Sequence, residues 1–177
     1  FFADQLYEGH IRRLPVVHYL HFLHLAREEA ARAAMELRTV LAREPVERVE
    51  RDIECAFAQR NWRPHLMACI AIADGFRGRE PMLALWRCMR GGSRVLPQLV
   101  ATAGYADNAF IDKALALIDD APSDSRLVVI LAAVLKTQFS FNFEKGGHLA
   151  TIVEAAILSD QKSLDPDPAR FALPWLN

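Results

Sequence analysis

The 177-residue sequence has little that would let it cross a membrane, build a disulfide framework or run a familiar catalytic reaction. Its most apolar early run, Leu14 to Ala26, is interrupted by His18, His21 and His24. A spanning helix needs about 20 consecutive apolar residues, so no membrane segment is expected. No signal-peptide pattern is visible, and without an initial Met the start reads as trimmed. Only three cysteines occur, Cys55, Cys69 and Cys88. An odd count with no C-x-x-C spacing argues against disulfides or a zinc site. They read as small core residues of a protein in a reducing, cytoplasmic compartment. A Gly-rich phosphate loop, a G-x-S-x-G turn and an H-E-x-x-H helix are all missing. No catalytic set emerges, no cofactor is expected, and a non-enzymatic role is favoured. No segment sustains the period-2 alternation of a strand, so strands are not expected either.

What is present is apolar and helical in its spacing. Hydrophobic residues make up 52% of the chain, enough for a core and against disorder. Glycine, proline and Asx or Ser clusters cut the chain into segments of helical length, at Glu44-Pro45, 61–64, 75–81, 91–93, 104–108, 119–124, 146–147 and 165–168. Ile53, Leu85, Leu117 and Leu149 stand 32 residues apart, and in three of the four, all but Leu117, the residues at i+3 and i+4 are both apolar, one face of a helix. Between them lie runs that are apolar on most faces, led by Leu66, Leu99 and Leu131. Pro64 and Pro97 sit near the starts of two of these runs. A first turn tolerates proline because its amides lack helical partners. Asn61 and Ser93 just before are suitable N-caps. The pattern predicts an all-α fold of stacked antiparallel hairpins, an α-solenoid with a repeat of about 32 residues.

At this point the chain resembles the HEAT-like repeat group. Asp120-Ala121-Pro122 in a turn, Arg126 early in the next helix, and Ala132-Ala133-Val134-Leu135 after it look like a HEAT unit, with Arg63 and Arg94 in corresponding places. The resemblance covers about residues 46–160. It implies a scaffold or binding protein, since the metal-binding enzymes of that group carry His-Glu pairs and this sequence has no His-Glu dipeptide. The whole of 1–177 reads as a single helical-repeat domain: one long helix over 15–43, a repeat core over 46–160 and a C-terminal cap over 161–177. The cap, with Phe171 and Trp175, is expected to cover the last apolar face.

Charge and irregularity supply the candidate sites. Of 21 basic residues only four are Lys, and the net charge is −1. Residues 1–94 hold 15 Arg against 12 acids, and residues 95–177 hold 6 basic residues against 10 acids. In a hairpin stack, Arg60, Arg63, Arg90 and Arg94 gather on one turn edge, followed by Asp119, Asp120 and Asp124. Trp62 sits in the basic part, and Arg and Trp are common interface anchors. The same arginines also suit an internal reading, with Arg94 paired to Asp124. Phe139, Phe141 and Phe143 alternate in a segment where the last helix of the register starts late. They either plug the core or, at Phe141 and Phe143, offer a contact.

The expected function is a protein-binding module for an acidic protein surface, of a scaffold kind or, by analogy of size, like small bacterial immunity proteins. One alternative is a metal-binding protein or enzyme using His18, His21 and His24, which are three residues apart on one helix. Against it, the adjacent Tyr19, Leu20, Phe22 and Leu23 offer no carboxylate, though Glu28 lies four residues after His24, and histidines edging a packed face account for the pattern. The other alternative, a nucleic-acid-binding repeat, is disfavoured by the net charge and sparse aromatics.

Overall fold

A computed structural model describes residues 2–7, 10–15, 27–120 and 125–160 of the chain. Helices dominate. Eight occur among the described residues: α1 (Arg27–Leu41), α2 (Val46–Ala58), α3 (Arg63–Ala73), α4 (Arg79–Arg90), α5 (Leu96–Ala106), α6 (Phe110–Asp120), α7 (Ser125–Gln138) and α8 (His148–Asp160). No helix among the described residues is long and apolar enough to cross a membrane.

The N-terminus departs from the helix-only expectation. β1 (Phe2–Tyr7) and β2 (His10–Pro15) pair antiparallel, with Phe2 opposite Pro15, Asp4 opposite Arg13 and Tyr7 opposite His10. Two residues, Glu8-Gly9, separate the strands in the sequence. Pro15, expected at the head of a long helix, is instead the last residue of β2. Proline at a strand end costs no internal ladder bond. The described part of the expected 15–43 helix runs from Arg27 to Leu41.

The chain divides into two compact units, residues 1–85 and 86–177, with the division inside α4. In the first unit, Ala33, Leu37 and Leu41 form the buried stripe of α1. Val49, Ile53, Ala56 and Phe57 form that of α2. α3 is buried nearly all round, from Leu66 to Cys69 and at Ala71 and Ile72. Arg38 of α1 donates to Asp74 Oδ1 at 2.7 Å, tying α1 to the C-cap of α3. Gly75, at φ +115°, then closes α3. Its N–H donates to Ile72 O, and Phe76 N–H to Ala71 O, the paired bonds of a Schellman end that favours glycine.

In the second unit the core runs through Leu96, Leu99, Val100 and Ala103 of α5, Phe110, Ala114 and Ile118 of α6, and Leu127 to Leu135 of α7. Asp107 organises the α5–α6 link. Its Oδ2 accepts from the Trp86 indole N–H and from Lys113 Nζ, each at 2.7 Å, and its Oδ1 accepts from Ala109 N–H at 2.9 Å. The Lys113 ammonium also lies over the Trp86 ring, 5.7 Å from its centroid.

Buried Ile53, Leu85 and Leu117 keep the 32-residue register, while other positions of the buried stripes shift against it. Val49 and Ile53 of α2 match Pro81 and Leu85 of α4, 32 residues on. Pro81 and Leu85 match Phe110 and Ala114 of α6 after 29, and Ala114 and Leu117 match Ala150 and Val153 of α8 after 36. Connection length explains both shifts. Only residues 107–109 join α5 to α6, whereas residues 139–147 stand between α7 and α8. Leu149, the fourth register residue, is accordingly only half-buried.

Candidate functional site

The α2–α3 turn is the most clearly built surface feature of the first unit. α2 ends at Ala58, and its C-cap Gln59 is extended, at ψ 147°. Arg60, Asn61 and Arg63 are exposed, and Trp62 is half-buried. The Arg63 guanidinium lies 5.5 Å from the Trp62 ring centroid, within cation–π range. Asn61 was expected as the N-cap. The N-cap is Trp62, and Asn61 works one residue earlier: its Oδ1 accepts from Arg63 N–H at 3.1 Å. Trp62 O accepts from His65 N–H at 3.1 Å, and the His65 Nε2 lies 3.0 Å from Gln59 O. Burial pushes the His65 pKa below the ordinary 6.5, and the bond to Gln59 offsets this only in part.

The α4–α5 turn of the second unit repeats much of the local plan, with its N-cap and proline 33 residues on and its side-chain acceptor 32 residues on. Val95 is the N-cap, and Ser93 Oγ accepts from Val95 N–H at 3.3 Å, as Asn61 accepts from Arg63. Val95 O accepts from Gln98 N–H at 3.1 Å, as Trp62 O accepts from His65. Pro64 and Pro97 occupy the same early helical place. Arg90 and Arg94 are exposed on this turn. The structure thus brings Arg60, Trp62 and Arg63 together on one turn and Arg90 and Arg94 together on another, each in its own unit. Asp119 is exposed at the end of α6, where its Oδ1 lies 3.0 Å from His148 Nε2 of α8. Asp124, the suggested partner of Arg94, lies outside the described residues, as do Ala121 and Pro122.

The phenylalanine segment divides between the two roles foreseen for it. Phe139 stacks on the core ring Phe110, with centroids 5.2 Å apart and planes 24° apart, yet stays 37% exposed. Phe141 and Phe143 are half-buried and meet edge to face at 5.0 Å. Ser140, between Phe139 and Phe141, takes φ +51°, a left-handed conformation uncommon outside glycine and asparagine.

Among the described residues, no group of three or more His, Cys, Asp or Glu is placed to hold a metal. His18, His21 and His24 lie outside the described residues, as do Phe171 and Trp175. None of the three cysteines is in a disulfide, and Cys55 is exposed, which corrects the expectation that all three serve as core residues. Its place on α2, between the buried Ile53 and Ala56 but facing away from both, accounts for this. Burial pushes the Cys88 thiol up to about 11, so at neutral pH it is not a thiolate nucleophile. Sequence reasoning missed Gln59 and His65 as parts of the turn. The available signal was a lone histidine directly after Pro64 at the head of an otherwise apolar run. No protein-family model, curated protein or solved structure matches the chain.

Proposed function

We propose that this chain is a non-enzymatic protein-binding module whose helices α2 to α8 are units of a HEAT-like α-solenoid, with units of about 32 residues that vary with connection length. It binds a partner protein through an acidic surface, in the manner of a scaffold or a small bacterial immunity protein. The observation that carries this reading is the α2–α3 turn, where Arg60, Trp62 and Arg63 stand together on a hydrogen-bonded frame. Arg offers five donors in a planar fork suited to carboxylates, and the aromatic face beside it adds area at low entropic cost. The α4–α5 turn supplies a second pair, Arg90 and Arg94, on the same local frame. Phe141 and Phe143 are further contact candidates in the second unit.

The test uses poly-L-glutamate as a defined acidic polypeptide and duplex DNA as the competing polyanion. The wild-type protein is expected to bind poly-L-glutamate, and Arg60→Glu with Arg63→Glu is expected to weaken that binding at least tenfold. Arg90→Glu with Arg94→Glu measures the other turn separately. Unchanged affinity in both double variants would remove these turns from the site. Tighter binding to DNA, with a steep salt dependence, would replace the acidic-protein reading with a nucleic-acid one.

A further inference from the structure

The chain between Gln59 and His65 leaves α2 and enters α3, and it carries Arg60, Trp62 and Arg63. Two of its hydrogen bonds are local: Arg63 N–H to Asn61 Oδ1, and His65 N–H to Trp62 O, both at 3.1 Å. Another spans the whole turn. His65 Nε2 lies 3.0 Å from Gln59 O, six residues earlier. A carbonyl oxygen can only accept, so Nε2 carries the proton and donates. Gln59 is the C-cap of α2, and His65 is in the first turn of α3. The bond therefore joins the end of one helix to the start of the next.

The ring is well held. His65 is 3% exposed, and its centroid lies 5.9 Å from that of Phe57 on α2. Its ring N–H, if left unpaired there, would carry the full desolvation cost of a buried donor. Burial also favours the neutral ring. Burial alone does not demand a bond across the turn. At the matching place in the second unit, Gln98 is as deeply buried, at 4% exposure, yet its Oε1 has no hydrogen-bond partner. The cross-turn bond is a particular property of the turn that carries Trp62.

We infer that His65 is the positioning residue of the α2–α3 turn: by donating across it to the Gln59 carbonyl, it holds Arg60, Trp62 and Arg63 as one preformed contact group. This rests on the reading of that turn as the site for an acidic partner. A preformed turn spares a partner the entropy of ordering three long side chains and their backbone on binding.

Amide hydrogen exchange on the full chain tests the positioning role, with His65→Leu and His65→Gln beside the wild type. Leucine keeps an apolar body against Phe57 and removes the donor. A glutamine amide reaches about as far from Cβ as an imidazole Nε2 and keeps a donor. In His65→Leu, the Arg63 and residue 65 amides are expected to exchange about tenfold faster, the effect of losing one hydrogen bond of ordinary strength. Ile70 to Ile72 should hold their wild-type rates, and His65→Gln should return the turn amides to within about threefold. Unchanged turn amides in His65→Leu would overturn the inference. So would acceleration along all of α3 that glutamine does not reverse, because that is the signature of a core residue. Should the leucine protein not fold, His65→Asn, one carbon shorter than glutamine, makes the same comparison. Poly-L-glutamate binding is measured on the same proteins, with weakening in His65→Leu and recovery in His65→Gln expected. A loosened turn with unaltered binding would overturn the positioning role. If the wild type does not bind the polyacid at all, the acidic-partner reading fails, and the exchange pattern still decides what His65 does for the turn.

Discussion

The α2–α3 and α4–α5 turns begin from nearly the same local plan and finish it differently. Each has a side-chain oxygen, from Asn61 or Ser93, accepting the N–H two residues on, and each has a proline early in the helix that follows. After the proline they part. His65 donates across its turn to Gln59 O, whereas the Gln98 side chain leaves Oε1 buried and unpartnered. Shared cap chemistry sets where a helix starts, and it does not decide whether the turn before it is locked. That depends on one buried polar side chain and what it reaches.

The largest test of the comparison lies just past the polar pair. Leu66 and Leu99 follow His65 and Gln98 directly, and both are fully buried. Leu66→Ala and Leu99→Ala should each cost about 2–5 kcal/mol by urea unfolding. Costs of similar size would support treating the two helices as equivalent units. A Leu99→Ala protein that loses little would break the equivalence.

A smaller and sharper effect is expected at the polar positions themselves, where the signs should differ. Gln98→Met removes an unpartnered buried oxygen at similar volume and is expected to stabilise by about 1 kcal/mol. His65→Leu removes a donor and leaves the Gln59 carbonyl without the ring, and is expected to destabilise by about 1 kcal/mol. Matching signs in thermal melts would mean that the two side chains play one role after all.

The smallest effect separates the units by pH. The folded pKa of His65 is depressed below 6.5, chiefly by burial. The unfolded chain therefore binds its proton first, and stability is full above about 6.5 and falls as pH drops toward the folded value. Asp107 in the second unit behaves as a carboxylate. Burial works to raise its pKa, but the hydrogen bonds from Lys113, Trp86 and Ala109, with the Lys113 charge, outweigh it and bring the pKa below 3.8. Its contribution is present above about 3.8 and is lost only as pH falls through the folded value. Urea unfolding between pH 7.5 and 5 should lose stability in the wild type and less in His65→Gln. Asp107→Asn should leave that loss unaltered over the same range.

The stripes of α2 and α4 were legible because burial on a helix follows a 3.6-residue period that neighbouring side chains already display. Helix starts were legible to within two residues, since Asn61 and Ser93 each bond the N–H two residues on and Pro64 and Pro97 suit a first helical turn. The β1–β2 hairpin was not legible. Its strands are six residues each, too short to show sustained alternation, and Glu8-Gly9 was its one local mark. The drift of the register from 32 to 29 and then 36 residues was legible only in part. The delay before α8 showed in the irregular 139–147 segment, while the short α5–α6 link did not, because the sequence marks a turn without stating its length in space.

For the candidate site, sequence by itself determined which residues are chemically suited to the work: Arg60, Trp62 and Arg63 in a turn before a proline, with Arg90 and Arg94 in a second. Tertiary structure decided what those residues rest on. The contact of His65 with Gln59 and Phe57, and that of Asp107 with Trp86 and Lys113, join separate elements. Such bonds depend on where packing places a buried polar side chain, because an unpaired donor in the core is costly and must find whatever acceptor the fold brings near.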